Sequence, residues 1–449
     1  MSKQEYQPIL GGTGSLNISS TVSTSGQTSA SQKKRNALAV LLFVVVVILL
    51  IITAAGSFTL FTLSEERPMY LQTGMTANPE ALCNNGEPAT WHFRESLSGA
   101  NENKWIIRFE GGNACFDNNT CTTRWSTEED RRFMTPAATE VIYQDPSGGV
   151  LNGDPERNPQ FHDYNAIHMH YCSSDSWMGD NDLGEGTNDS PWVFKGYQIV
   201  MGLFDELEAK PEYNFANAES VLLVGYSAGG LSIVSIADAT RDKVASVAPQ
   251  AEISHICDSG WFMISADEAC GELMDCETYN NCPLATQFEL GYDFWGTSKT
   301  LDPDCLASGL TYECTAPEYS WSFLNQDTKD NLLLIESQFD QMNHDLHVGA
   351  GCNMTEEEED DYWVYLQEAL EDSLEETGID DYLCTRCSNH DTTPKDWWYD
   401  IVLLEDDRNV ADWVQGWFDG EDVKHWEDAC DGKDCNPTCP VHVPPDHID

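Results

Sequence analysis

Basic residues are scarce in this chain. It carries 23 Lys and Arg against 76 Asp and Glu, a net charge of −53 over 449 residues. That imbalance excludes nucleic acid and anionic membrane surfaces as expected partners, because both need cations opposite them. It identifies no substrate; a heavily solvated acidic surface accounts for it. Cysteine is missing from the N-terminal part: none of the sixteen precedes Cys83, and the last is Cys439. An even set confined to one side of a hydrophobic segment points to disulfides made in an oxidising compartment. The lone Cys384-Thr385-Arg386-Cys387 spacing is too little for a zinc site, so no metal is expected. No internal repeat is present. Hydrophobic residues make up 41%, enough for a folded core, so global disorder is excluded.

Charge is also missing from Ala37 to Ala55, a long apolar stretch. Its length suits a bilayer-spanning helix of about 20 residues. Lys33, Lys34 and Arg35 precede it, and Glu65 and Glu66 follow. The positive-inside rule then puts the N-terminus in the cytosol. The expected organisation is a disordered cytosolic tail over 1–36, a single transmembrane signal-anchor helix over 37–56, and a luminal or extracellular catalytic domain over 68–449. That is the topology of a single-pass type II membrane protein. A cleaved signal is the competing reading, since Thr53-Ala54-Ala55-Gly56 offers small residues to a peptidase. Tyr6-Gln7-Pro8-Ile9 fits a loose sorting pattern that arises easily by chance. Asn118-Asn119-Thr120, Asn188-Asp189-Ser190 and Asn353-Met354-Thr355 are glycosylation sequons, compatible with secretion.

Beyond the apolar segment, strand-like runs alternate with helical ones. Lys104 to Phe109, Asn165 to His170, Ser220 to Val224 and Leu332 to Ile335 read as strands. Leu231 to Val244 has helical apolar spacing. Such alternation favours an α/β fold with a mostly parallel sheet covered on both faces. Residues 257–320 hold six cysteines and little periodicity, so a disulfide-rich insertion is expected there. The acidic stretch 356–381 is expected as an exposed helix.

Gly225-Tyr226-Ser227-Ala228-Gly229 is G-x-S-x-G. Alone, the pentapeptide recurs by chance; here it follows an apolar strand and opens a helix, as a nucleophile elbow requires. The turn would lift the Ser227 hydroxyl at the strand's end and leave the Ala228 N–H free to donate to an oxyanion. Serine needs a base, and the base needs an orienting carboxylate. In α/β-hydrolases the chain order is Ser, acid, His. Asp340, in Ser337-Gln338-Phe339-Asp340 just past the last strand, is the best-placed acid. His390 follows in Cys387-Ser388-Asn389-His390, while His344, His347 and His425 remain open as alternatives. Glu110-Gly111-Gly112-Asn113-Ala114-Cys115 can supply further oxyanion donors. The short Cys115–Cys121 spacing beside that loop suggests a local disulfide.

These motifs together resemble the pectinacetylesterase family of Notum-like carboxylesterases, over roughly residues 68 to 420. Leu82-Cys83-Asn84-Asn85-Gly86-Glu87-Pro88-Ala89 is similar to the family's opening Cys-Asn-Asp-Gly-x-Pro-Ala. Phe109-Glu110-Gly111-Gly112-Asn113-Ala114-Cys115 resembles its Leu-Glu-Gly-Gly-x-x-Cys. Asn158-Pro159 leads to Tyr171-Cys172-Ser173-Ser174-Asp175, close to a specific family segment. Gly225 to Gly230, Ser337 to Asp340 and Cys387 to His390 match its nucleophile, acid and base motifs. The resemblance implies an α/β-hydrolase-like fold, a Ser227–His390–Asp340 triad, and an oxyanion hole from the N–H groups of Gly112, Asn113 and Ala228. It also implies a Cys83–Cys172 pairing and no metal or organic cofactor. One departure stands out: the family usually carries Trp after the Gly-Gly pair, where this chain has Asn113. The backbone donor survives, but a smaller, more polar side chain would border the acyl site. The expected activity is serine carboxylic-ester hydrolysis on an O-acetylated glycan. The alternatives are a Notum-like deacylase of a protein-linked fatty acyl ester and a catalytically silent glycan-binding ectodomain.

Overall fold

Apolar runs that can bury both faces become the central strands. In chain order the strands are β1 (Met69–Gln72), β2 (Trp91–Arg94), β3 (Lys104–Phe109), β4 (Val141–Ile142), β5 (Asn165–Met169), β6 (Ser220–Tyr226), β7 (Glu252–Asp258), β8 (Leu332–Ser337), β9 (Tyr382–Thr385) and β10 (His425–Glu427). The computed structural model describes residues 67–142, 148–181, 191–277, 281–349, 352–421 and 425–440. Among these, ten strands form one sheet in the order β10-β9-β8-β7-β6-β3-β5-β2-β1-β4. From β10 to β5 neighbours pair in parallel. The β2 side pairs antiparallel.

Parallel strands are covered on both sides, so alternate residues feed two cores. Trp105, Ile107 and Phe109 of β3 join Val221 and Leu223 of β6 in one. Ile106, Leu222 and Val224 join the other. Helix α1 (Asn118–Ser126) follows the first glycine-rich loop, and α2 (Gly196–Ala209) packs Ile199, Val200 and Leu203 into the first core. After β6 the chain makes α3 (Ala228–Ser235) and α4 (Ala237–Val247). The single helix expected over 231–244 is thus two, because Ile236 leaves helical geometry at φ −124° and ψ 23°.

Between β7 and β8 lies the insertion, with α5 (Leu284–Trp295) and disulfides Cys276–Cys282 and Cys305–Cys314. Cys270 ties it to Cys352. Cys257 does not lace it: that residue is a buried thiol on β7. Beyond β8 come α6 (Gln341–Val348), the long acidic α7 (Glu356–Thr377) and, after β9, α8 (Val410–Phe418). The acidic helix is not exposed all round. Trp363, Leu366, Leu370 and Leu374 bury one face, and four glutamates in its first turn complement the helix dipole.

Seven disulfides take up fourteen of the sixteen cysteines, leaving Cys257 and Cys384 as buried thiols. Both pairings anticipated from the sequence, Cys115–Cys121 and Cys83–Cys172, are present. The chain divides into units Met1–Glu65 and Glu66–Asp449. The cytosolic tail at 1–36 and the anchor at 37–56 lie outside the described residues. Among the described residues no helix is long and apolar enough to cross a membrane.

Candidate active site

The site is assembled at the carboxyl ends of the parallel strands. Where β6 meets α3, Ser227 adopts φ 55° and ψ −123°, a conformation that non-glycine residues rarely hold. The turn is pinned by the Ser227 N–H, which donates to the Asp258 carbonyl at 2.9 Å. It is also closed tightly from below. A Cβ at Gly229 would collide with the Phe109 carbonyl, so only glycine lets α3 sit this close to β3. Ala228 is the first residue of α3, and a helix's first N–H groups have no intrahelical acceptor.

Asp340 follows β8 and caps α6, its Oδ1 accepting the Asn343 N–H at 2.9 Å. Its Oδ2 lies 2.8 Å from Nδ1 of His390. A carboxylate there takes the proton of Nδ1 and leaves Nε2 as the basic nitrogen. Nε2 has no hydrogen-bond partner among the described residues. Burial would lower the His390 imidazole, but Asp340, with Asp391 and Asp258 nearby, raises it to about 9.

Asp258, at the end of β7, fixes the loop that carries His390. Its carboxyl accepts the Thr392 N–H at 2.9 Å, and the Thr393 N–H and hydroxyl at 2.5 and 2.6 Å. The Cys387–Cys439 disulfide anchors the same loop from the other side. His390 and Ser227 line one cavity of ≈ 280 Å³, together with Gly112, Asn113, Arg132 and Lys395.

The loop after β3 forms the facing wall. Gly112 has φ 143° and Asn113 φ 58°. The first is glycine territory, and a Cβ there would run into the Phe133 ring. The Gly112 carbonyl accepts from the Arg124 guanidinium, which also lies over the Phe133 ring. The Trp177 indole donates to the Glu110 carbonyl at 2.9 Å, and the Trp295 indole to the Cys115 carbonyl at 2.7 Å.

Beneath this loop sits a buried ion pair. His170 Nε2 faces the carbonyls of Arg132 and Thr135 at 2.9 and 3.1 Å, so it must donate. Its Nδ1 lies 2.9 Å from the Glu110 carboxyl, which also accepts the Tyr171 N–H at 2.9 Å. Both ring nitrogens therefore carry protons, and His170 is an imidazolium. Burial opposes that charge, but Glu110 raises His170 above the ordinary histidine value. Reciprocally, burial would raise the Glu110 carboxyl, yet His170, His168 and Arg132 hold it down at about 2.

All six residues singled out from the sequence meet around this centre: Ser227, Asp340, His390, Gly112, Asn113 and Ala228. The alternative bases lie elsewhere. His344 stacks on Trp363 with ring centroids 3.9 Å apart. Neither ring nitrogen of buried His347 has a partner among the described residues. His425 lies on the edge strand β10. Sequence reasoning missed Glu110 as an ionised support, Asp258 as the loop's anchor, and Arg132 and Lys395 in the cavity wall. Glu110 stands inside the Glu-Gly-Gly motif, which was a usable signal; the other three carry none.

A family model described as pectinacetylesterase matches residues 64–440. The palmitoleoyl-protein carboxylesterase NOTUM of Mus musculus is 24% identical over 389 residues, covering 83% of this chain and 72% of its own. Pectin acetylesterase 11 of Arabidopsis thaliana is 27% identical over 272 residues, covering 60% of this chain and 61% of its own. Among solved structures, the Wnt deacylase Notum from Drosophila superposes with a TM-score of 0.71 at 25% identity, over 84% of this chain and 100% of that one.

Proposed function

This chain belongs to the pectinacetylesterase family, and from that premise we propose that it hydrolyses carboxylic esters through an acyl-enzyme on Ser227. Carboxylic-ester hydrolysis is the activity of the family; the nucleophile and its helpers are our reading. His390 Nε2 takes the Ser227 proton while Asp340 holds the ring and balances the imidazolium. The N–H groups of Gly112, Asn113 and Ala228 receive the charge that develops on the carbonyl oxygen. His390 then returns the proton to the leaving alcohol, and water repeats the sequence to release the acid. The observation that carries this reading is the 2.8 Å His390–Asp340 contact in a loop that shares one cavity with Ser227.

We assign an O-acetylated glycan as the substrate. The cavity is ≈ 280 Å³, and Asn113, Arg132 and Lys395 border it together with Phe133, Tyr226 and Met342. A small acyl group beneath a polar alcohol suits that wall, whereas a long acyl chain calls for a larger apolar one. The second reading is deacylation of a protein-linked fatty acyl ester, favoured by the similarity to the Notum enzymes. Hydrolysis of p-nitrophenyl acetate and octanoate by the full chain separates them. Acetate is expected to be the faster by at least about tenfold in kcat/KM. A preference for octanoate favours the fatty acyl reading, and no turnover of either favours a silent glycan-binding ectodomain.

We further place the catalytic domain outside the cytosol. The seven disulfides call for an oxidising compartment. The charge-flanked 37–56 segment supports a signal anchor.

A further inference from the structure

The residue after His390 is Asp391, and hydrogen bonds hold its backbone on both flanks. Its N–H donates to the Ser259 hydroxyl at 2.9 Å. Its carbonyl accepts the Trp397 indole at 3.0 Å and the Asn389 amide at 3.2 Å. The Asp258 carboxyl grips the next two residues, Thr392 and Thr393. These bonds keep Asp391 at φ 59°, a left-handed conformation that aspartate adopts when its short side chain bonds locally. Here the side chain makes no such bond. Asp391 lines the catalytic cavity with Ser227, His390 and Arg132. Among the described residues its carboxyl forms no hydrogen bond or ion pair, and Oδ1 is enclosed without a donor. The other carboxyls around the site differ. Asp258 receives the Thr393 N–H and hydroxyl, Asp340 receives His390 and the Asn343 N–H, and Glu110 receives His170 and the Tyr171 N–H. Of these four, Asp391 is the one whose acceptors go unused.

An enclosed acceptor without a donor is destabilising, and strained, unsatisfied groups concentrate at functional sites. A carboxylate offers acceptors only, so what completes it must bring a donor. The acyl half of an acetate ester carries no O–H or N–H, so the donor belongs to the alcohol half. That half is also the one that leaves with the proton of His390, the residue next to Asp391. We propose that Asp391 is a specificity residue of the ester hydrolysis: its carboxylate accepts a hydrogen bond from a second hydroxyl on the alcohol half, so that the site selects esters of diols and sugars over esters of lone alcohols. An ester without that hydroxyl leaves the carboxylate unpaired and pays in transition-state stability. Burial pushes the Asp391 carboxyl up to about 7, while His390 and Lys395 pull it down. Above that value it is an anion, the stronger acceptor. The inference deepens the glycan reading and rests on the Ser227–His390–Asp340 site.

The test compares two acetates on the full chain: the monoacetate of cyclohexane-1,2-diol and cyclohexyl acetate, which lacks the second hydroxyl. Both are assayed at about pH 8.5, where Asp391 is ionised. The readout is the ratio of their kcat/KM values within one enzyme, so that any change reaching both esters through His390 cancels. Wild type should prefer the diol monoacetate by about 10- to 100-fold, the range of a hydrogen bond to a charged group. Asp391→Ala should bring the ratio to near one. Asp391→Asn keeps an acceptor without its charge and tolerates the left-handed backbone. Its ratio should lie between the two, and it decides the point even if Asp391→Ala does not fold. A wild-type ratio near one, or the same ratio in wild type and variants, overturns the proposal. An equal loss on both esters makes Asp391 a support of His390 instead and overturns it too. p-Nitrophenyl acetate and Ser227→Ala, assayed alongside, keep the failures apart. If wild type hydrolyses p-nitrophenyl acetate but neither cyclohexyl ester, the esterase reading stands and this one falls. If turnover survives Ser227→Ala, the triad reading falls, while the ratio still decides the role of Asp391.

Discussion

The charge on His390 sets the pH range in which the site works. Its ordinary value is 6.5; burial opposes protonation, but the Asp340 carboxylate raises it to about 9. A raised value means that the imidazole is protonated across neutral pH, whereas taking the Ser227 proton needs free Nε2. Thus kcat/KM on a neutral ester should climb with pH, its midpoint above 6.5 and toward about 9. A pH–rate profile checks this, and a plateau already reached below the ordinary histidine range would contradict it. At this scale the sequence shows the groups that react better than the groups that support them. Ser227 and Asp340 each stand in a local motif just past a strand-like run, and His390 stands in a Cys-x-x-His motif with no strand read ahead of it. Asp258 acts across strands, and His170 acts on a carboxyl far away in the chain. Such partners are set by register, as in the parallel pairing of Tyr226 with Asp258 and of Asp258 with Ile335.

Among elements, the strands easiest to read were those buried on both faces. β3, β6 and β8 show as nearly unbroken apolar runs because helices cover both sides of a parallel sheet. β7 was not read, since Glu-Ile-Ser-His-Ile-Cys-Asp mixes polar groups into a central strand. β1 and β2 are only four residues each and lie on the antiparallel side. The loop after β3 was legible as an oxyanion candidate because glycine pairs permit its dihedrals, but its rigidity was not. That rigidity comes from the Cys115–Cys121 bridge, the two tryptophan indoles and the Glu110–His170 pair. Removing the bridge with Cys115→Ser and Cys121→Ser should misplace the Gly112 and Asn113 donors. We expect kcat to fall by about tenfold, less than the ~10²-fold loss of a whole donor, and stability to fall by about 2 kcal/mol. Steady-state kinetics and thermal melting measure both; an unchanged kcat in the folded double variant would show that the bridge does not set the loop.

For the whole molecule, the family resemblance read over residues 68 to 420 extends in the family match to 64–440. The reach past 420 takes in β10 and the Cys387–Cys439 and Cys430–Cys435 bridges. The acidity is −53 overall, whereas the cavity wall sets Arg132 and Lys395 beside Glu110 and Asp391, so the wall does not share the strong acidic excess of the chain. The anchor reading predicts that protease added to sealed vesicles trims only the short N-terminal tail. A protected tail, or a soluble mature form starting near Gly56, would replace the anchor with a cleaved signal. Everything else in the account depends on Ser227 being the nucleophile. A fluorophosphonate probe followed by peptide mapping tests that most directly. The account predicts one adduct, on Ser227, with Ser227→Ala folded, unlabelled and at background ester turnover. Labelling at another residue, or turnover retained by Ser227→Ala, would contradict it.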